Sequence, residues 1–267
     1  MTPGAGPVKA RLHRAFARAA SGTRAHGVRV LIYHSIDDRG PADPMSMRVS
    51  PRDFVEQMTL LRNDDYVVVP LNAVSNAQER EGRLRVAITF DDGYSNHRWA
   101  AGILKDLGFP ATFFLVPRLL DGVDVRRAYW EEWGTLAWDD AAALSEAGFE
   151  VGAHSMTHPD LRRCSDAQLE TEVSGAKAIL QGRLKTEIAS FSYPYGRHDA
   201  RVRSAVAAAG YRMACTSRYG VNPASIPVYG LRRTEITGAD TLLDFQWKLA
   251  GKYDWLGYWQ DVKAARQ

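Results

Sequence analysis

The chain has 267 residues, a length typical of one α/β domain, and 45% of them are hydrophobic, which excludes wholesale disorder. Its 34 Lys and Arg residues nearly balance 31 Asp and Glu residues, so the net charge of +3 gives no reason to expect nucleic acid as a partner. The strongly apolar stretches are all shorter than the roughly 18 residues that a membrane-spanning helix needs.

The first 27 residues are predicted to form a basic, partly helical tail. Residues 8–20 read VKARLHRAFARAA, in which Val8, Leu12 and Phe16 fall near one face of a helix. Two interpretations stay open, a solvated tail and an amphipathic segment that rests on anionic lipid. The stretch lacks the apolar core of a secretory signal. We therefore expect a cytoplasmic protein, which would be peripheral to the inner membrane if this segment binds lipid.

From residue 28 onwards, apolar runs alternate with helical periodicity. This alternation predicts an α/β fold with a mostly parallel sheet, either closed into a barrel, which we favour, or open and doubly wound. The predicted strands are 28–33, 66–69, 85–90, 111–116, 149–154, 190–193 and 211–216, and the predicted helices are 51–63, 97–107, 139–147, 165–180 and 199–209. Gly108, Gly148 and Gly210 are expected to end helices in the left-handed conformation.

Two adjacent carboxylates follow the predicted strand 85–90. The stretch RVAITFDDGYSN brings Asp91 and Asp92 to the carboxyl end of this strand, which is where parallel α/β folds gather their chemistry. Taken alone, the pair fits a strand-to-turn junction with an Asx cap equally well.

A pair of histidines follows the predicted strand 149–154. His154 and His158 are four residues apart, so both imidazoles can face one point if the segment turns helically. One carboxylate from the first strand would complete three N/O ligands and leave a position for water, which is typical of a catalytic zinc site. The alternative is a pair that caps a helix or packs under a loop.

A third predicted strand, 190–193, runs into a Pro/Gly turn. Together, TFDDG, HSxxH and FSYPYG resemble the motifs of the polysaccharide deacetylase (NodB-homology) family of carbohydrate esterases, and the likeness runs from about residue 30 to residue 236. The early Tyr33–His34 pair and the YPYG turn are similar to a subgroup that includes exopolysaccharide deacetylases. This resemblance implies a distorted (β/α)7 barrel over residues 28–240. Residues 241–267 are expected to form an amphipathic helical segment packed on the barrel.

The resemblance also implies the chemistry of the site. It suggests a divalent metal, usually Zn²⁺ and otherwise an ion such as Co²⁺, Ni²⁺ or Mn²⁺, that activates water against an N-acetyl or, less often, an O-acetyl group of a sugar. By resemblance, Asp91 would be the general base, and Asp92 would bind the metal with His154 and His158. The backbone N–H of Tyr195 would stabilise the oxyanion.

Two positions depart from the commonest pattern of this family. No histidine follows His198, although many members carry a proton-donating histidine in a late L-x-H motif, so we expect His34 to be the general acid. The alternative for His34 is a buried structural histidine. Ser192 stands where an arginine usually orients the catalytic aspartate, and Arg232 or Arg233 is a candidate substitute. The remaining histidines are expected in surface or turn positions: His13, His26, His97 and His198.

The predicted substrate-binding residues come from three places. Trp130 and Trp133 lie in an aromatic insertion, residues 121–138, and either stack on a sugar ring or pack internally. Tyr193 and Arg232 are the other two candidates. The expected partner is an N-acetylated glycan or glycolipid, without nucleic acid, and with peripheral membrane contact through the N-terminal or C-terminal amphipathic segment.

The function predicted first is a metal-dependent hydrolase that removes N-acetyl groups from amino sugars of a bacterial-type glycan or its precursor. One alternative is an amidase or deformylase acting on a lipid-linked or small sugar substrate. Another is a catalytically silent carbohydrate-binding protein, which is suggested by Ser192 and by the missing late histidine.

Overall fold

A curled, parallel β-sheet with helices packed against it forms the centre of the molecule. The computed structural model describes residues 7–20, 27–38, 43, 45–64, 66–74, 84–123 and 134–264. The strands are β1 (Val28–Tyr33), β2 (Ser35–Ile36), β3 (Arg48–Val49), β4 (Tyr66–Val68), β5 (Leu84–Phe90), β6 (Ala111–Leu115), β7 (Glu150–Ala153), β8 (Ser190–Ser192), β9 (Met213–Cys215) and β10 (Thr234–Glu235). The main sheet has the order β10-β1-β5-β6-β7-β8-β9, with β4 paired to the first half of β5, and β2 pairs separately with β3.

The two ends of the sheet are connected through the segment 231–235. Leu231 forms a parallel bridge with Cys215 at the end of β9, and its carbonyl accepts a hydrogen bond from the Thr216 N–H at 2.8 Å. Three residues later the same segment becomes β10 and pairs with β1. The predicted α/β fold with a curled parallel sheet is thus confirmed, and an irregular segment rather than a full strand pair makes the closing contact.

The helices cover the strands in the alternating order that the sequence predicts. They are α1 (Pro7–Ala19), α2 (Pro51–Asn63), α3 (His97–Asp106), α4 (Pro117–Leu120), α5 (Trp138–Glu146), α6 (Asp166–Glu170), α7 (Ala176–Leu184), α8 (Ala200–Ala208), α9 (Leu242–Leu249) and α10 (Trp255–Ala264). A π-helical segment (Thr171–Gly175) joins α6 to α7. All seven predicted strands and all five predicted helices are present, with ends that shift by a few residues. Among the described residues, no helix combines the length and the hydropathy that crossing a bilayer requires.

Local signals explain where several helices begin and end. Ser165 and Gln168 form a reciprocal capping box at the start of α6. Gly108, Gly148 and Gly210 have φ angles of 66°, 88° and 76°, as expected for glycines that end a helix.

The alternation of side chains along β5 separates two parts of the core. Ile88 and Phe90 belong to the large apolar cluster that includes residues of the surrounding helices, and the Phe90 ring stacks on Phe113 at 4.8 Å. Thr89 and Asp91 point to the opposite face because successive side chains alternate across a strand. This alternation directs the Asp91 carboxylate into the interior of the curled sheet.

Candidate active site

Asp92, His154 and His158 converge at the carboxyl ends of β5 and β7. Oδ1 of Asp92 lies 3.4 Å from Nε2 of each imidazole, and the two Nε2 atoms are 3.1 Å apart. All three side chains are buried, and one potential ligand atom from each lies within 4.8 Å of the others. The structure therefore brings together the three residues that the sequence singles out as metal ligands.

The backbone is strained where it presents two of these ligands. Asp92 and His158 have φ angles of 75° and 60°, and Ser155 between the histidines has 59°. Left-handed conformations of residues other than glycine cost about 1–3 kcal/mol each and persist only when the surroundings enforce them. Here Gly93 continues the left-handed turn at 71°, and the Ser155 hydroxyl accepts the His158 N–H at 2.9 Å.

The π-helical segment supports the loop between the two histidines. The Glu172 carboxylate accepts hydrogen bonds from the Thr157 N–H at 2.8 Å and from the Thr157 hydroxyl at 2.5 Å. The Glu172 carbonyl also accepts the Met156 N–H at 3.0 Å. π-Helical turns occur often at functional sites, and this one places a buried acidic side chain beneath the loop that joins His154 to His158. Sequence analysis missed Glu172, because it reads as an ordinary helical residue.

The donor set fits a divalent cation. The Nδ1 atom of His154 lies 2.7 Å from the Ser192 carbonyl, so it carries the proton and leaves Nε2 free of hydrogen as a ligand atom. Oδ1 of Asp92 is buried and has no hydrogen-bond partner within the described part of the chain. Two imidazole nitrogens and one carboxylate oxygen form a set that suits zinc and related transition metals.

Asp91 lies beside this cluster and is held by Arg233. The fully buried guanidinium donates to both carboxylate oxygens at 2.7 Å, and the Ser192 hydroxyl donates to Oδ2 at 3.0 Å. Arg233 is further fixed by a hydrogen bond from Nε to the Thr216 carbonyl at 2.8 Å. Of the two candidate substitutes for the usual arginine, Arg233 is thus the one that contacts Asp91.

The charges around the carboxylates determine their ionisation. Burial raises the pKa of Asp91, but Arg233 and His154 outweigh burial and lower it to about 2. For Asp92, burial is likewise outweighed by the nearby imidazoles of His154 and His158, so its pKa lies well below the ordinary range. Burial lowers the pKa of His154, yet Asp91 and Asp92 together raise it above the ordinary value. Both carboxylates are therefore ionised at neutral pH.

His34 follows β1 and lies next to the carboxylate pair. It is half-buried, and its charge contributes to the lowered pKa values of Asp91 and Asp92. Its Nδ1 atom is buried without a hydrogen-bond partner among the residues that the structure describes. The His34 backbone carbonyl accepts the Nε2–H of His97 at 2.6 Å, which fixes the backbone just after β1.

The expectation of a surface or turn position for His97 is wrong. Its ring is fully buried, 5.1 Å from Phe90 and 5.9 Å from Tyr94. Burial lowers the pKa of His97 to about 4, so at neutral pH the ring is uncharged and acts as a hydrogen-bond donor to the carbonyl of His34. The sequence around His97 has no apolar run that would indicate this burial. The rings that cover His97 belong to Phe90 and Tyr94, which lie outside α3.

Tyr195 lies in the turn after β8, beside the metal-ligand cluster. Its φ angle is 60°, and its ring is 4.8 Å from the ring of His158 in an edge-to-face arrangement. Tyr193, in contrast, is fully buried, and its hydroxyl donates to the Tyr229 carbonyl at 3.1 Å. Tyr193 therefore lies in the core and not in the substrate-contacting position that the sequence predicts.

Arg232, another predicted substrate residue, does not contact the Asp91 carboxylate in the way that Arg233 does. Arg232 is half-buried against Gly220, and alternation along the chain turns it away from the side that Arg233 faces. Trp130 and Trp133 lie outside the described residues.

An open cavity of about 720 Å³ lies between the residues that follow β2, the loop after β5 and the first turns of α2 and α3. Trp99 is 42% exposed there, and polar residues that follow β2 and β5 line the cavity. Sequence analysis did not identify this cavity. Its lining residues are Ile36, Asp37, Asp38, Pro51, Ser95, Asn96, Arg98 and Trp99.

Comparison with known sequences identifies one matching family model. The model of the polysaccharide deacetylase family matches residues 78–214, a segment that contains the carboxylate pair, both histidines and the YPYG turn but neither His34 nor Arg233. A chitooligosaccharide deacetylase from Bradyrhizobium sp. (strain ANU 289) is 30% identical over 148 residues, which are 53% of this chain and 60% of that protein. The chain spans between 5% and 60% of the length of three curated relatives that it matches.

Solved structures share the fold. The deacetylase PplD of Streptococcus pyogenes, solved in complex with acetate, superposes with a TM-score of 0.73 at 22% identity over 85% of this chain and 99% of that chain. A polysaccharide deacetylase from Bacillus cereus superposes with a TM-score of 0.70 at 25% identity, covering 83% of this chain and 68% of that one.

Proposed function

The chain belongs to the polysaccharide deacetylase family, and from this premise we propose that it is a metal-dependent hydrolase that removes N-acetyl groups from amino sugars of a bacterial-type glycan or its precursor. The observation that carries the proposal is the convergence of Asp92, His154 and His158 on one point, with the Asp91 carboxylate buried beside them. A purely structural site would have no need for this second, separately anchored carboxylate.

Asp92, His154 and His158 would hold the cation, for which Zn²⁺ is the first candidate and Co²⁺, Ni²⁺ and Mn²⁺ are others. When bound, such an ion lowers the pKa of water towards about 7 and polarises an amide carbonyl. The strained backbone at Asp92 and His158 keeps these side chains aimed at one another before any ion arrives.

Asp91 is the proposed general base. Its carboxylate is ionised at neutral pH and is held by Arg233 and Ser192, so it can accept the proton of a water molecule that attacks the acetyl carbon. The backbone N–H of Tyr195, in the turn beside His158, is the proposed donor to the oxyanion that forms on the acetyl oxygen.

His34 is the proposed general acid. After water attacks, the C–N bond breaks, and the amine leaving group needs a proton. His34 directly follows β1, and β1 pairs with β5, the strand that the carboxylate pair follows. The His97 hydrogen bond holds the His34 backbone while its side chain stays partly accessible.

The alternative function, a catalytically silent carbohydrate-binding protein, is less well supported. That alternative rested partly on Ser192 replacing the usual arginine, and Arg233 makes the missing contact to Asp91. An amidase or deformylase acting on a lipid-linked or small sugar uses the same proposed residues, and substrate assays distinguish it from the favoured function.

The test is acetate release from N-acetylated oligosaccharides, with and without chelator. We expect chelation to abolish release and Zn²⁺ or another divalent ion to restore it. Asp91→Asn should reduce kcat by at least about 10²-fold while the metal content stays at the wild-type level, because the variant keeps all three ligands. Asp166→Asn, which changes an exposed carboxylate on α6, is the matched control and should retain activity. Undiminished turnover by Asp91→Asn would contradict the assignment of the base.

A further inference from the structure

Exposed apolar side chains are concentrated on three helices near the ends of the chain. Six of the nine large apolar residues exposed in the described part of the chain lie on α1, α9 and α10. Clusters of this kind, rather than single exposed residues, mark interaction surfaces. We call them the terminal-helix patch, which consists of Leu12, Phe16, Leu242, Leu243, Tyr258 and Trp259.

The three helices are in contact with one another, and Leu242 at the start of α9 also lines a groove against α2. Arg14 on α1 pairs with Asp244 in the first turn of α9 at 2.7 Å. The Phe16 ring lies 5.6 Å from Trp255, the first residue of α10. Tyr258 and Trp259 follow Trp255 at the helical spacings that place side chains on the same side of a helix.

The charge of α1 is one-sided, because its sequence contains four Lys and Arg residues and no acidic residue, whereas α9 and α10 each contain one Asp and one Lys. The first acidic residue of the chain is Asp37, and residues 1–36 contain six Lys and Arg residues, whereas the remainder contains 28 basic and 31 acidic residues. Arg14 and Arg29 pair with Asp244 and Asp254, and Arg18 on α1 is exposed. An apolar patch with exposed Trp and Tyr beside a basic helix matches the chemistry of an anionic membrane surface.

We propose that the terminal-helix patch binds the surface of a bilayer that contains anionic lipids. Phe16, Tyr258 and Trp259 would enter the boundary between headgroups and acyl chains, and the basic side chains of α1 would contact the headgroups. Such a patch would attach the protein to one side of a bilayer.

The patch is also connected to the active-site side of the barrel. Gln260 on α10 donates to the Ser217 carbonyl at 3.1 Å and accepts the Tyr219 N–H at 3.0 Å, in the loop that follows β9. Ser217 in turn packs closely against Gly196 in the turn that carries Tyr195. If the proposed deacetylase function is correct, on which this step rests, membrane attachment favours a lipid-linked amino sugar as the substrate.

Sedimentation of the full chain with vesicles tests the proposal. We expect binding to vesicles of phosphatidylcholine mixed with phosphatidylglycerol, little binding to phosphatidylcholine alone, and weaker binding at high salt. The double variant Phe16→Ser/Trp259→Ser should bind about tenfold more weakly, because both side chains are exposed and contribute directly. Val67→Ser, which alters an exposed apolar residue outside the patch, is the control and should bind like the wild type.

Equal binding by the double variant and the wild type, or no binding to the anionic vesicles, would overturn the proposal. Sedimentation equilibrium without vesicles tests a second copy as the occupant. A dimer that the double variant abolishes would replace the membrane as the partner. Vesicle binding by a protein without deacetylase activity would refute the proposed function and leave the membrane proposal intact.

Discussion

At the scale of single residues, Asp91 is held from two directions. Ser192 on β8 donates one hydrogen bond, and Arg233 in the segment before β10 donates two. A bidentate guanidinium fixes the plane of a carboxylate, which a single point charge does not. Arg233 is therefore a positioning residue for the proposed base.

Arg233→Lys should reduce kcat by about 10²-fold with little change in KM, because lysine retains the charge but not the paired hydrogen bonds. Arg233→Gln removes the charge, so the pKa of Asp91 rises from about 2 and the acidic limb of the kcat/KM profile moves to higher pH. The measurements are steady-state kinetics and pH profiles, with Arg232→Lys as the control. An unshifted acidic limb in Arg233→Gln would contradict this electrostatic role.

His34→Ala should slow cleavage of an N-acetyl group by about 10²-fold or more, because the amine leaves unprotonated. The same variant should hydrolyse 4-nitrophenyl acetate at close to the wild-type rate, because its leaving group needs no proton. The ratio of the two rates is the measurement. Equal losses on both substrates would assign His34 a structural role.

The site residues that are clearest from the sequence are those that a short motif at a strand end defines. Asp91, Asp92 and the histidine pair are recognisable because strand ends and short spacings define them. Arg233 contacts Asp91 across 142 residues, and His97 contacts His34 across 63, so no local pattern distinguishes Arg233 from Arg232 or reports the contact of His97. These contacts form only in the closed sheet, so they cannot be read from the sequence.

At the scale of elements, the strands are predictable as apolar runs because strands such as β1 and β6 are buried along their whole length. Period-two alternation within a strand separates Phe90 from Asp91. The same rule explains the error at Tyr193, which is two residues from the core residue Phe191 and so shares its buried face. The strands β2, β3 and β10 have two residues each and are too short to produce a pattern.

Trp99, in the first turn of α3, lines the open cavity together with residues that follow β2 and β5, and an exposed indole is a typical platform for a sugar ring. Trp99→Ala should raise KM for long N-acetylated oligosaccharides about fivefold, which corresponds to roughly 1 kcal/mol of lost stacking. The KM values for short substrates should stay unchanged, and so should kcat. Trp259→Ala, which alters an exposed tryptophan on α10, is the control. A uniform loss across chain lengths would argue against an extended sugar site.

At the scale of the whole molecule, burial of His97 makes stability depend on pH. Its pKa is about 4 in the folded chain, against about 6.5 when unfolded, so the unfolded chain binds more protons between these values. Stability should therefore fall as pH decreases from about 6.5 to about 4, by up to roughly 3 kcal/mol from this group.

Urea unfolding of wild type and His97→Gln at pH 7.5 and pH 5 measures this contribution. The free energy of unfolding should fall more for the wild type than for the variant, because only the wild type has this buried imidazole. The comparison cancels the other titrating groups, including His154. Identical pH dependence of the two proteins would contradict the assignment.

The closing segment 231–235 contains both the Leu231 bridge to Cys215 and the arginine that holds Asp91. The residue that orients Asp91 therefore lies in the segment that closes the sheet. In a partly folded chain whose last strands are undocked, Asp92, His154 and His158 would already be present on their strands, but no guanidinium would orient the proposed base.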